Sequence, residues 1–250
     1  MRNLLPSLRR LPLFSLLLIG GLVALSGLGA AEVGAEGAKK GHTLIDLIWL
    51  AGPIELVLII LSVIAYSLGI TWVITIKRAT MLPDHLIFAI HDTFNAETEP
   101  SPEDIESLHN AAAADSSMLG QTVAAMLDNR DFGFDSMKEA METAAAVNRN
   151  KIFGKISWLS LFASSATLLG LLGTVSGIIK SFLAIQSNPG GLDANALAGS
   201  IGEALVCTAT GLTIAIGNIY LFFWLRGRLN QCSLELLEIV GEVLDNFRAR

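Results

Sequence analysis

Residues 156–179 form a run of twenty-four with no side chain that ionises near neutral pH. At about 1.5 Å per residue, a helix of this length crosses the roughly 30 Å hydrocarbon core of a bilayer. It is not built for lipid alone. In the overlapping stretch LLGLLGTVSGIIKSF, residues 168–182, glycines at 170, 173 and 177 let a second backbone approach closely. Thr167, Thr174 and Ser181 recur every seventh residue, so their three hydroxyls share one stripe of the helix. A hydroxyl stripe at membrane depth points to a polar path or a polar partner.

Three further apolar segments accompany this one. Residues 11–31 follow Arg2, Arg9 and Arg10 and close on Gly29-Ala30-Ala31 before Glu32. A basic start, a leucine-rich centre and small residues at the end read as a cleaved signal peptide, with an uncleaved anchor as the rival reading. Residues 53–76 are closed by Lys77 and Arg78, and residues 204–225 by Arg226 and Arg228. With 52% hydrophobic and 16% charged residues over 250 positions, the chain reads as a polytopic membrane protein carrying one sizeable polar insert.

Lysine and arginine set the orientation. The insert, residues 77–155, holds Lys77, Arg78, Arg130, Lys138, Arg149, Lys151 and Lys155, and the tail holds Arg226, Arg228, Arg248 and Arg250. The connection 187–200 holds none. The positive-inside rule therefore predicts a cytoplasmic insert and tail, with the mature N-terminus and the short connection outside.

Residues 41–50 are amphipathic and are expected at the outer interface, with Trp49 at headgroup level. Glu55, just inside the first mature span, reads as an interfacial, snorkelling carboxylate. In the insert, residues 82–94 read as a helix followed by a linker at 96–100, and residues 118–127 read as another helix. Ser101-Pro102-Glu103-Asp104 is a helix start: a capping serine, proline in the first turn and two acids at the positive dipole end. From Phe134 no breaker other than glycine precedes Asn188, which predicts one helix of about fifty residues running into the membrane. Asn188-Pro189-Gly190-Gly191 is a turn, and Asp193 can cap the last long helix.

That last helix carries a second small stripe: Ala204, Thr208, Gly211, Ala215 and Asn218 step by 4, 3, 4 and 3. Two readings stay open. In one, the stripes are packing faces whose threonines bond their own backbone carbonyls. In the other, Thr174 and Thr208 line a polar path. Glu203 and Lys180 are the acid and base near these helices, both toward their outer ends. A proton path needs a titratable group at depth. The chain supplies none mid-membrane by this reading, so a carrying carboxylate is expected from another polypeptide.

Enzyme readings find no footing. His42, His85, His91 and His109 form no i, i+4 pair, and there is neither a His-Glu-x-x-His nor a phosphate-binding loop. Cys207 and Cys232 make no metal or redox spacing, and Cys207 reads as a small buried apolar residue. No motif implies a metal or cofactor. The net charge of −6, with no basic stripe, argues against nucleic acid.

The pair LLGLLGTVSGIIKSF and IGEALVCTATGL resembles the two signature segments of the ExbB/TolQ/MotA proton-channel family, closest to ExbB/TolQ. AGPIELVLIILSVIAYSLGI resembles that family's first span. The match covers residues 51–225 in order and topology. The resemblance implies a bacterial inner-membrane, multi-pass homopentamer whose second and third mature spans surround a pore. It implies an ExbD/TolR-like single-span partner whose aspartate takes and releases protons, and a TonB/TolA-like protein beyond it. By the same resemblance Thr174 and Thr208 fall at the pore threonines and Glu203 at the acid before the third helix. The proposed pore set is completed by Thr167 and Ser181, and the packing set is Gly170, Gly173, Gly177, Gly211 and Ala215. Two positions depart from the family: Thr167 and Gly217 stand where it has helix-bending prolines, and glycine keeps some of that flexibility.

The expected architecture is all-α. A signal peptide (1–31) precedes an outer segment with an interfacial helix (32–52) and span one (53–76). A helical cytoplasmic insert (77–155) leads to span two (156–186), an outer turn (187–200), span three (201–225) and a helical cytoplasmic tail (226–250). The expected function is a proton-channel subunit of a motor that couples the proton-motive force to transport or envelope maintenance. The alternatives are a non-conducting membrane scaffold and a MotA-like motility stator.

Overall fold

In a computed structural model, residues 52–94, 101–187 and 194–248 are described. The predicted signal peptide, the interfacial helix, the 96–100 linker and the turn at 188–191 lie outside them. Among the described residues every regular element is a helix: α1 Gly52–Thr75, α2 Arg78–Met81, α3 Asp84–Phe94, α4 Pro102–Ala114, α5 Met118–Asp128, α6 Phe134–Ser187 and α7 Ala194–Arg248, with a 3₁₀ turn at Arg130–Phe132. Three of these, α1, α6 and α7, are long and apolar enough to cross a membrane.

The chain divides into two compact units. One holds residues 52–68 of α1 with Leu159–Leu221; the other holds Gly69–Trp158 with Phe222–Arg250.

In the first unit α6 and α7 are antiparallel, with Gly177 beside Ala204, Gly173 beside Cys207, and Gly170 beside Thr208 and Gly211. α1 runs parallel to α7. Glu55 lies beside Cys207 and Thr210, and Leu58 and Leu61 continue along α7 in one apolar cluster with Ile214 and Ala215. Ala163, Ala166 and Leu169 of α6 close that cluster. The outward surface remains apolar: Leu168, Leu171, Leu172, Val175 and Ile179 are exposed. A contiguous face of this kind is what lipid or further copies cover.

The second unit is an ordinary amphipathic packing problem, solved with leucine and methionine. Leu82, Leu86, Leu119, Met126, Met137, Leu225, Leu229 and Leu236 are among its large, fully buried side chains, with Ile156 and Val123. The α4 start is the capping box expected from Ser101: Ser101 Oγ accepts from the Asp104 amide at 3.1 Å, and the Ser101 amide donates to Asp104 Oδ2 at 3.0 Å. Ser117 caps α5 in the same way, accepting from the Gly120 amide at 3.0 Å. The α7 tail is held by Arg78 to Glu235, with the guanidinium Nε donating at 2.9 Å, and by Arg149 Nη2 to Asn230 Oδ1 at 3.0 Å. Phe94 and Phe247 meet edge-to-face at 5.8 Å.

The predicted helix over 82–94 starts later than expected. Pro83 pushes Leu82 out of the helical region, to φ −129° and ψ 80°, and α3 begins at Asp84, separated from the single turn α2. α6 passes through Thr167 and α7 through Gly217 without interruption.

Candidate functional site

The candidate site is the seam where α6 and α7 meet at their glycines, with α1 laid against it. A Cβ added to Gly170 would stand 3.2 Å from the Thr208 Cα, and one on Gly211 only 2.6 Å from the Ala166 carbonyl oxygen. One on Gly173 would collide with the Cys207 Sγ, and one on Gly177 would sit 2.5 Å from the Ala204 Cβ. These helices touch backbone to backbone, which only glycine permits. Ala215 is buried in the same contact. All five residues of the predicted packing set lie at this seam within one chain.

The hydroxyls divide. Thr208 Oγ1 donates to the Gly170 carbonyl across the seam at 2.8 Å. Thr174 Oγ1 donates to Leu171 O within its own helix at 2.7 Å, and the residue is only half-buried. Thr167 is exposed and bonds Ala163 O at 3.1 Å. Ser181 is buried, donating to Gly177 O at 2.9 Å and sharing a 2.6 Å contact with Ser200 Oγ. The seven-residue stripe therefore rotates from an exposed end at Thr167 to a buried end at Ser181. An α-helix drifts about 20° per heptad against a strict seven-residue repeat, which contributes to this.

Glu203 Oε1 accepts from Lys180 Nζ at 2.9 Å, with the carboxylate side chain 17% and the ammonium 48% exposed. Glu203 and Lys180 line a small cavity together with Pro53, Ser176 and Cys207. The acid expected in the pore set thus has a cation of its own chain as its partner.

One residue departs from its expected place. Glu55 does not snorkel; it is 6% exposed, and its Oε2 is buried without a hydrogen-bond partner. Helix packing sets it level with Cys207 and Thr210, a turn or more inside α7, so its depth along α1 alone misplaces it. Hydrophobicity gives it no phase on α1; the small residues Ala65 and Gly69 on its side of the helix are the one sequence signal. Glu55, Leu58, Ala65 and Gly69 share the buried face of α1. Two further buried polar atoms, Tyr66 Oη and Asn218 Oδ1, also lack a partner. They sit eleven residues, three turns, beyond Glu55 and Cys207 on the parallel helices α1 and α7.

A family model, the MotA/TolQ/ExbB proton channel family, matches residues 105–238, which include both glycine faces of the seam. The chain belongs to this family. Relatives include the putative biopolymer transport protein ExbB-like 1 of Synechocystis sp., 30% identical over 208 residues that cover 81% of this chain and 78% of that one. The biopolymer transport protein ExbB of Xanthomonas campestris pv. campestris is 28% identical over 76% of this chain and 80% of its own. The biopolymer transport protein exbB1 of Vibrio cholerae is 30% identical over 51% of this chain and 56% of its own. The seam is therefore a feature of an ExbB-like member of a proton channel family, carried on three membrane-length helices.

Proposed function

We propose that the chain is the channel-forming subunit of an ExbB/TolQ-like motor in a bacterial inner membrane. It is not an enzyme in this reading. Five copies would surround the span of an ExbD/TolR-like partner, whose aspartate exchanges protons along the hydroxyl-bearing faces of α6 and α7. A TonB/TolA-like protein would carry the work to the envelope. One charge crossing 100 mV supplies about 2.3 kcal/mol, so several protons per stroke meet a mechanical load.

The observation that carries the reading is the character of the α6–α7 pair. Both helices are free of ionisable groups through the core of the span except for Lys180 and Glu203, which neutralise each other at 2.9 Å. Such a pair can solvate a proton carrier with hydroxyls and carbonyls while contributing no competing charge. The exposed face around Leu168, Leu171 and Val175 leaves apolar surface for neighbouring copies.

A second reading, a non-conducting scaffold, is favoured by one contact: the Thr208 hydroxyl is already bonded to Gly170 O within the chain. Replacing the partner's membrane aspartate with asparagine separates the two. The motor predicts that proton-driven output is abolished while the complex still assembles; unchanged output supports the scaffold.

A further inference from the structure

Where α6 and α7 enter the second unit, they carry bases and no acid. α6 has no aspartate or glutamate from Thr143 to Ser187, and α7 has none from Ala204 to Leu234. The part of this stretch within the second unit holds five bases: Arg149, Lys151 and Lys155 on α6, Arg226 and Arg228 on α7. Among the described residues, the carboxylate contacts of this unit run from Arg78 to Asp84 and Glu235, His85 to Asp115, His109 to Asp128 and Arg130 to Asp131. None includes these five. Glu235, the next acid along α7, is already engaged by Arg78.

Two of the five share one cleft. Arg149 Nη2 donates to Asn230 Oδ1 at 3.0 Å. One turn along α6, Phe153 lies under the Arg226 guanidinium, 5.7 Å from it to the ring centre. Phe153 also meets Phe222, with ring centres 6.4 Å apart. Arg226 and Asn230 are themselves one turn apart on α7. The two guanidinium groups are therefore diagonal neighbours across a single helix contact. Each has five N–H donors. Arg149 spends one on Asn230, and the Phe153 ring occupies only the face of Arg226, so edge donors of both remain for a ligand. The cleft lies where the apolar spans end: Ile156 is three residues from Phe153, and Leu225 precedes Arg226. Trp158 and Phe223, 53% and 60% exposed, mark the same level with aromatic surface of the kind found at a bilayer interface.

We infer that Arg149 and Arg226 form a binding site for an anionic phospholipid. The two forks hold the phosphodiester, and the acyl chains lie on the membrane side, toward Phe223. A phosphodiester has one negative charge and two free oxygens, which suits planar donors with no carboxylate competing for them. Charge selects the lipid class. A zwitterionic headgroup brings an ammonium of its own into a field already set by Lys151, Lys155 and Arg228. The inference requires that α6 and α7 cross a membrane, and it does not depend on the motor reading.

Native mass spectrometry of the full chain in a neutral detergent tests it, with phosphatidylglycerol as the probe and phosphatidylcholine of the same chains as the comparison. Phosphatidylglycerol should bind more tightly. Arg226→Gln should weaken it about fivefold, and Arg226→Gln with Arg149→Gln more than about tenfold. Lys138→Gln removes an equal charge eleven residues from Arg149 along α6 and should leave binding unchanged. Millimolar inorganic phosphate should not displace the lipid. Should the double variant fail to fold, a phosphatidylglycerol with a photoreactive headgroup, in phosphatidylcholine vesicles, is applied to the wild-type chain, with labelling expected within residues 146–155 and 222–231. Equal affinity for the two lipids, equal effects of Lys138→Gln and Arg226→Gln, displacement by inorganic phosphate, or labelling spread evenly along the chain overturns the assignment.

Discussion

The Thr208 hydroxyl and the Gly170 carbonyl join α7 to α6 at 2.8 Å, thirty-eight residues apart in sequence. The bond exists because Gly170 has no side chain to hold the helices apart. It makes Thr208 a stitch between helices, and a lining for a path only where its lone pairs remain open.

Thr208→Val keeps the shape and removes this stitch. A loss of about 0.5–1 kcal/mol is expected, read as an earlier thermal transition of the detergent-solubilised protein. Thr174→Val breaks only a bond within one turn of α6 and should leave that transition unmoved. Proton-driven output should fall in the double variant while assembly survives. Loss of assembly would instead make both residues packing groups.

Gly173 and Cys207 are a close-packed pair. Gly173→Ala alone should destabilise the subunit by about 1–3 kcal/mol, since overpacking forces a rigid contact apart. Adding Cys207→Gly, which removes both atoms the new methyl would meet, should restore part of that loss. Gly154→Ala is the control. A Cβ there meets nothing within 4 Å, so helix propensity alone predicts a neutral or slightly stabilising change. Equal effects at Gly154 and Gly173 would remove the glycine seam from the explanation.

Lys180 and Glu203 should show coupling of about 1 kcal/mol in a double-mutant cycle of Lys180→Met and Glu203→Gln, because the carboxylate is mostly shielded and the ammonium is half in solvent. Additive single effects would mean that the pair does not hold the outer end of the seam.

Hydrogen bonds from the Ser101 side chain and main chain hold the Asp104 carboxyl below its ordinary range. A depressed folded-state value means that the capping box stabilises α4 above the usual aspartate range and loses that contribution as pH falls through the lowered value. Amide protection factors in the first turn of α4, corrected for the intrinsic exchange rate at each pH, should therefore fall on acidification in the wild type. In Ser101→Ala the acid-dependent part should shrink, because only the main-chain hydrogen bond to Asp104 remains. Protection that does not change with pH in the wild type contradicts the box.

The features legible in the sequence were those with local causes. The Ser101 box needs four consecutive residues, and the unbroken α6 needs only the absence of a breaker between Phe134 and Ser187. The glycine faces of α6 and α7 were visible because small residues stand out against leucine. The place of Glu55 was not. α1 is apolar on its lipid side as well as its protein side, so hydrophobicity alone carries no phase, and a carboxyl near its start reads as interfacial. Its depth became plain only once α1 was laid beside Cys207. Arg78 and Glu235, 157 residues apart, are likewise joined by folding alone. The hydroxyl stripe was legible as a stripe, but its turn from exposed Thr167 to buried Ser181 depends on how α6 rolls against α7.

Proton flux into liposomes tests the central claim most directly. The purified chain is reconstituted with and without its ExbD/TolR-like partner, under an imposed membrane potential, and acidification is followed with a trapped dye. Flux is predicted only when the partner is present, and should be lost when the partner's membrane aspartate becomes asparagine. Robust flux through the chain alone would contradict this and place the carrier within α1, α6 and α7, with Glu203 and Glu55 the first to replace.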